Sequence, residues 1–370
     1  MNTTSPHPTL PTNAFEDESF DEAHPPWDPN KIRVQTKPFS LRQVVDEISD
    51  GGIDLAPDFQ RGFVWRERQK CRLIESILLG IPLPAFYFNA EPDGRQQVVD
   101  GVQRLNTIFD FAKGRFRLSD LEYLGQLESK SFGELDSISP VWRRRFNQTS
   151  ILVHVIEPPT PSEVKFNIFK RLNTGGTPLT PQEIRHCISR SRSRDMLRAM
   201  AASPSYARAT LGALATDQHM VGRELALRFI AFRAFWNSAE FERHDTFDDF
   251  LTEVTRRIDD PKATSEEDLG RLAMEFERAM RNAAEVLGPI AFRRAKGSPL
   301  NRALFDAWAV ALADLPTERV ELERERILRA YTELLERDDY IKSITGNTAK
   351  TRFIELRLRA AREAVAGVAG

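Results

Sequence analysis

The chain has 370 residues, 41% hydrophobic and 29% charged, with a formal net charge of −2. This length accommodates two domains and this composition an ordinary folded core, while the near-neutral balance excludes a global basic field, so any nucleic-acid contact must come from a local patch. No segment approaches a transmembrane span, and the first twenty residues lack the basic start and apolar run of a signal peptide.

Residues 1–35 read as a flexible acidic arm. Residues 1–30 contain no Lys or Arg but carry Glu16, Asp17, Glu18, Asp21, Glu22 and Asp28 among several prolines. Residues 36–160 mix helix and strand. "SLRQVVDEISDGG" has a Ser start, apolar Leu41, Val44, Val45 and Ile48, and a Gly-Gly stop, which predicts a short helix. "RERQKCRLIESILLGIPLP" predicts a second, with Leu73, Ile74, Ile77 and Leu78 on one face and Gly80 at its end. "AFYFNA" and "RQQVV" flank "EPDG", whose Asp93-Gly94 supplies hairpin turn chemistry. A helix then starts near Gly101, and "ILVHVIE" gives a further β signal.

Residues 161–370 read as a helical domain. In "NTGGTPLTPQEIRHCI", Thr180 is a good N-cap, Pro181 suits the first turn and Glu183 completes a capping box. Leu225, Phe229, Phe232 and Trp236 mark one amphipathic face, and Leu269, Leu272, Phe276, Met280 and Ala283 another. The fold class expected is α+β: a mixed N-terminal domain followed by an all-helical one. Cys71 and Cys187 lie far apart in helical patterns, which reads as two free thiols in a reducing cytoplasm.

The stretch "QQVVDGVQRLNTIFDF" places polar residues where an apolar strand gives way to an apolar helix. A helix N-terminus offers unpaired N–H groups and a positive dipole end, which favour an anion. Asp100 is placed to cap that helix, and Gly101 allows close approach to its backbone. Arg104 can grip a phosphate, Gln103 can orient a water, and Asp100 can hold a metal or accept a proton. The same residues also fit a plain capping box with an arginine paired to a nearby carboxylate. Two further segments share this polar character. "PDFQRGFVW" puts Gln60 and Arg61 between aromatic anchors, and "FKRLNTGGTPLTPQEIR" sets a Gly-Gly turn beside Arg171, Asn173 and Thr174.

These three segments, in this order, resemble the GmrSD restriction-endonuclease N-terminal domain family, which is recognised by a DGQQR motif on a ParB/sulfiredoxin-like fold. The resemblance runs from about Phe39 to Arg185. Asp100, Gly101, Gln103 and Arg104 match the motif, and Val102 stands where the family usually has Gln. The resemblance implies binding and hydrolysis of a nucleoside triphosphate, GTP or ATP, with Mg2+. Asp100, Gln103 and Arg104 would be catalytic, with Asp100 also on the metal. Gln60, Arg61, Gly101, Arg171 and Asn173 would hold the nucleotide. It further implies anti-phage defence acting on DNA, modified or not. In two-domain relatives the cutting belongs to a His-rich HNH module. The histidines here are His7, His24, His154, His186, His219 and His244, so no such module is built from the residues after His244. A separate effector nuclease and self-association into a homo-oligomer are the partners this leaves, and no membrane.

Arginines also cluster in "WRRRF" (Arg143, Arg144, Arg145) and in "RHCISRSRSRDMLR" (Arg190, Arg192, Arg194), where they can track a phosphate backbone. His154 reads as a core or edge-strand residue, His186 as a surface one, and Trp65 and Trp142 as loop anchors. The alternative function is a non-hydrolysing DNA-binding or adaptor module, including an antitoxin-like one.

Overall fold

The computed structural model describes residues 32–55, 65–91, 93–158, 160–172, 180–214 and 218–367. They fall into two compact units that meet in sequence at Ile188 and Ser189. The first contains β1 (Val34–Ser40), α1 (Leu41–Ser49), β2 (Ile53–Asp54), α2 (Glu67–Leu79), β3 (Phe86–Ala90), β4 (Gln96–Asp100), α3 (Val102–Ala112), α4 (Pro140–Gln148), β5 (Ser150–Ile156), α5 (Ser162–Leu172) and α6 (Pro181–Ile188). Its five strands form one mixed sheet in the order β1-β5-β3-β4-β2. β1 pairs antiparallel with β5 and β3 with β4, while β3 runs parallel to β5 and β2 to β4.

Local chemistry accounts for the element ends. The Ser40 hydroxyl accepts from the Gln43 N–H and starts α1. Gly80, at φ +79°, ends α2 in the left-handed region. Asp93 accepts from the Arg95 N–H in the β3–β4 turn, and Gly94 sits at φ +91°. Phe86, Phe88, Val98, Ile151 and Val153 from the sheet meet Leu41, Ile74, Ile108 and Phe146 from the helices in the main core. A smaller core joins Val99 and Ile156 to Phe166 and Phe169 of α5 and Ile184 and Cys187 of α6. So α5 and α6 belong with the sheet. The composition turns helical near residue 160, but the packing changes only at Ile188. Cys71 and Cys187 are buried free thiols.

Glu75, buried on α2, fastens the segment after α3. Its carboxylate accepts the N–H groups of Glu122 at 2.9 Å, Tyr123 at 2.7 Å and Leu124 at 2.9 Å. Burial works to raise its pKa, but these three donors and Arg72 outweigh it and hold the group below the ordinary 4.5. A depressed folded value means stabilisation that is present above the unfolded pKa and lost as pH falls through the folded one. Stability is therefore expected to fall as pH drops below 4.5, and Glu75→Gln to flatten that acid limb. Urea midpoints measured from neutral to acid pH check this; equal acid slopes in both proteins would refute it.

The second unit holds α7 (Ser191–Ala201), α8 (Pro204–Ala209), α9 (Val221–Ala234), α10 (Ser238–Phe241), α11 (Phe247–Asp259), α12 (Glu266–Val286), α13 (Arg302–Ala313), α14 (Val320–Leu334), α15 (Asp338–Thr345) and α16 (Thr351–Ala366). Every residue of α13 from Ala303 to Ala313 is buried, with α9, α12 and α16 packed around it. Its Trp308 donates to the Tyr340 hydroxyl at 2.9 Å. Among the described residues no helix is long and apolar enough to cross a membrane.

Candidate functional site at the start of helix α3

The strand-to-helix joint is built around a contact that only glycine permits. Gly101 lies at φ +95°, and a Cβ there would sit 2.2 Å from Cδ1 of Phe86. The Phe86 ring is held on another side by the Arg104 guanidinium, 4.2 Å from its centroid. Arg104 donates to the backbone oxygens of Pro84 and Ala85 and, through Nη2, to Asp100 Oδ2 at 2.9 Å. Its side chain is 14% exposed, against 43% for Asp100. Burial pulls the Arg104 pKa below its ordinary value, with Asp100 pulling the other way.

This corrects the expected cap. Gly101, not Asp100, is the N-cap, and no side chain among the described residues caps α3. Asp100 is still a strand residue, paired with Tyr87, and its carboxylate is committed to Arg104 four residues on. Among the described residues the first-turn N–H groups of α3 thus have no side-chain acceptor. Gln103 is half-buried, and no hydrogen bond among the described residues uses its side-chain amide. Val102 packs partly buried against the main core. Asp100, Gly101, Gln103 and Arg104 therefore converge at one joint. Arg171 lies exposed in the last turn of α5, which packs against β4. Gln60, Arg61 and Asn173 lie outside the described residues.

A polar layer between the sheet and α5/α6 was not anticipated from the sequence. Asn89 Nδ2 donates to the Cys187 oxygen and Gln97 Nε2 to the His186 oxygen, each at 3.4 Å. These carbonyls are in the last turn of α6, where a helix runs out of its own N–H donors, so the two amides help finish the helix from the sheet. Lys165 Nζ donates to Asn89 Oδ1 at 2.7 Å. The signal was present: Asn89 interrupts the apolar run of one hairpin arm, and its cross-strand partner Gln97 stands just before Val98-Val99 on the other. His186 is buried here, not on the surface as expected, and Arg185 is buried with Nε on Gln182. His154 is half-buried on interior strand β5, where its Nδ1 meets the Thr36 hydroxyl at 2.8 Å. Trp65 and Trp142 rest partly buried on the main core, as anchors do.

The two arginine runs separate in kind. Arg143 pairs with Asp136, Arg145 donates to the Leu78 oxygen at 2.9 Å, and Arg144 is exposed. The stretch from Arg185 to Arg198 spans two helices, α6 and α7, in different units. Arg190 is exposed, but its N–H and that of Ser193 bind the Asp259 carboxylate at 2.7 and 2.9 Å. Arg192 is spent on the Ile258 and Thr264 oxygens and on Glu266, and Arg194 is buried. Arg192 thus ties elements of the second unit together, and with Arg194 buried the two do not line up with Arg190 as an exposed stripe.

Among the described residues no group of three or more His, Cys, Asp or Glu side chains forms a metal cage. No curated protein matches the chain. A family model does match, described as the GmrSD restriction endonuclease, N-terminal domain, over residues 41–189. That range runs from the first residue of α1 to one residue beyond α6, and so takes in the α3 joint and both helices that cover β4. Residues 41–189 of this chain are a domain of the GmrSD restriction endonuclease N-terminal family.

Proposed function

We propose that the chain is the nucleotide-binding, NTP-hydrolysing component of a prokaryotic restriction-type defence system, working in the cytoplasm on DNA with a separate nuclease. The family match over residues 41–189 supports a restriction context. The observation that carries the nucleotide reading is the joint itself: an uncapped helix start, a glycine N-cap, and Asp100, Gln103 and Arg104 within four residues. On this reading the first unit is of the ParB/sulfiredoxin-like kind, with its ligand at the end of β4.

The first-turn N–H groups of α3 take phosphate oxygens. Arg104 keeps Nε, which makes no hydrogen bond among the described residues, and one Nη2 hydrogen is released when Asp100 turns to the ligand, the other staying on the Ala85 oxygen. Gln103 orients the attacking water. Mg2+ is held through one or two carboxylates plus substrate phosphates, not by an all-protein cage, so half-exposed Asp100 fits it. When bound, the ion neutralises phosphate charge. Gln60, Arg61, Arg171 and Asn173 are proposed to complete the nucleotide contacts.

A second reading, a non-hydrolysing DNA-binding or adaptor module, is favoured by the packing of Val102 into the core and by the ties that hold Arg104. Phosphate release from the four common NTPs with Mg2+, with and without DNA, separates the two. The enzyme reading expects turnover in the wild type and its loss, by about 10²-fold or more, in Gln103→Ala. Turnover absent in the wild type, or unchanged in that variant, contradicts it.

A further inference from the structure

We infer that the cleft between the start of α1 and α4 is a second phosphate site, shaped for the sugar-phosphate backbone of a nucleic acid. This rests on the nucleic-acid part of the reading above and is independent of nucleotide turnover. The cleft holds about 650 Å³, and among the described residues Arg42, Arg143 and Arg144 line it against one carboxylate, Asp136.

The three guanidiniums are held to different degrees. Arg143 is positioned by Asp136, yet its buried Nε has no hydrogen-bond partner. Arg42 has a loose pair with Asp46 at 3.8 Å, with 74% of the Arg42 side chain and 66% of the Asp46 side chain exposed. Arg144 is exposed and has no ion pair among the described residues. Ser40, Asn147 and Gln148 add neutral polar groups at the same wall, and Ser40 is the N-cap of α1. The donors outnumber the acceptors, and cations prevail over anions, as an anionic ligand requires.

The lining also selects which phosphate compound fits. Among the described residues no aromatic side chain lines the cleft, and Pro140 is its one apolar member. A base has nothing there to stack on, whereas a phosphodiester backbone needs none. Binding of this kind positions a duplex without reading its sequence, and each phosphate contact contributes about 0.9 to the salt slope.

The test is a salt titration of duplex DNA on the full-length protein without NTP, with duplex RNA, heparin and inorganic phosphate as parallel probes. The combined Arg42→Ala and Arg144→Ala variant removes two exposed side chains, and melting curves confirm that it folds. Its slope of log affinity against log salt is expected to fall by about 2, equally on unrelated sequences, so that its deficit narrows by about tenfold between about 50 and about 200 mM salt. Lys262→Ala with Arg362→Ala, an equal charge loss on the second unit, should leave the slope unchanged. An RNA slope that falls with the DNA slope assigns the site to any phosphodiester backbone, and a fall on DNA alone assigns it to DNA. An unchanged slope, an equal loss in the control variant, or binding of heparin or phosphate without either nucleic acid would overturn the inference.

Discussion

A Gly101→Ala variant is expected to lose about 2–5 kcal/mol of stability, combining the strain of a left-handed alanine with overpacking against a buried ring. Both causes are on the page: φ +95° and a Cβ position 2.2 Å from Phe86 Cδ1. Phe86 is fully buried, part of the main core, and backed by the Arg104 guanidinium, so the ring has no cheap escape. For a unit of this size the melting temperature should fall by about 5–15 °C. Gly94→Ala supplies the control. That glycine has φ +91° but nothing within 4 Å of its Cβ position, so it carries the backbone strain without the clash. It should lose about 1–2 kcal/mol. If the two alanine variants melt together, the Phe86 contact is not what demands glycine at position 101.

An effect of similar size is expected in the second unit from Asp306→Ala. Asp306 is completely buried on α13 and accepts from Arg228 Nε and Nη2, both at 2.8 Å, and from Arg357 Nη2 at 3.3 Å. Arg357 in turn donates to the oxygens of Ser343 and Thr348, so the carboxylate holds α9, α13 and the α15–α16 turn in one network. Removing it takes away the carboxylate that two buried guanidiniums share, which costs about 3–5 kcal/mol. Exposed pairs behave differently. Arg271 and Asp268 pair at 2.8 Å, but the Arg271 side chain is 52% exposed and that of Asp268 is 46% exposed. Arg271→Ala should therefore leave stability nearly unchanged. Urea midpoints of the two variants measure the contrast, and an Asp306→Ala midpoint near that of Arg271→Ala would show that the buried network is not load-sharing.

Much of the first unit was legible because its signals are local. Ser40 caps α1, Asp93-Gly94 makes the hairpin turn, and Thr180 and Glu183 exchange hydrogen bonds as a capping box, at 2.6 Å from the Thr180 N–H and 3.2 Å from the Glu183 N–H. Each depends on residues at most three apart. What was not legible depends on distant partners. Asp100 has the right spacing for a cap, but Phe86 and the Pro84–Ala85 carbonyls draw Arg104 and Asp100 into a clamp instead. Arg192 sits in a run that looks solvated, yet its partners are 66 to 74 residues away. His186 follows a cap that looks exposed, and is buried because α6 lies on the sheet. The motif residues could be found in the sequence; their ties to one another could not.

Those ties define the central claim, that the start of α3 is where a nucleotide sits. Equilibrium binding of a slowly hydrolysed NTP analogue with Mg2+ tests it most directly, in the wild type and in Gln103→Ala and Asp100→Asn. Gln103 has no side-chain hydrogen bond among the described residues, so its loss should spare the fold. The account predicts saturable binding in the wild type, weakened about tenfold or more in both variants, with unchanged melting of Gln103→Ala. Binding that is absent in the wild type, or equally tight in all three proteins, would contradict it.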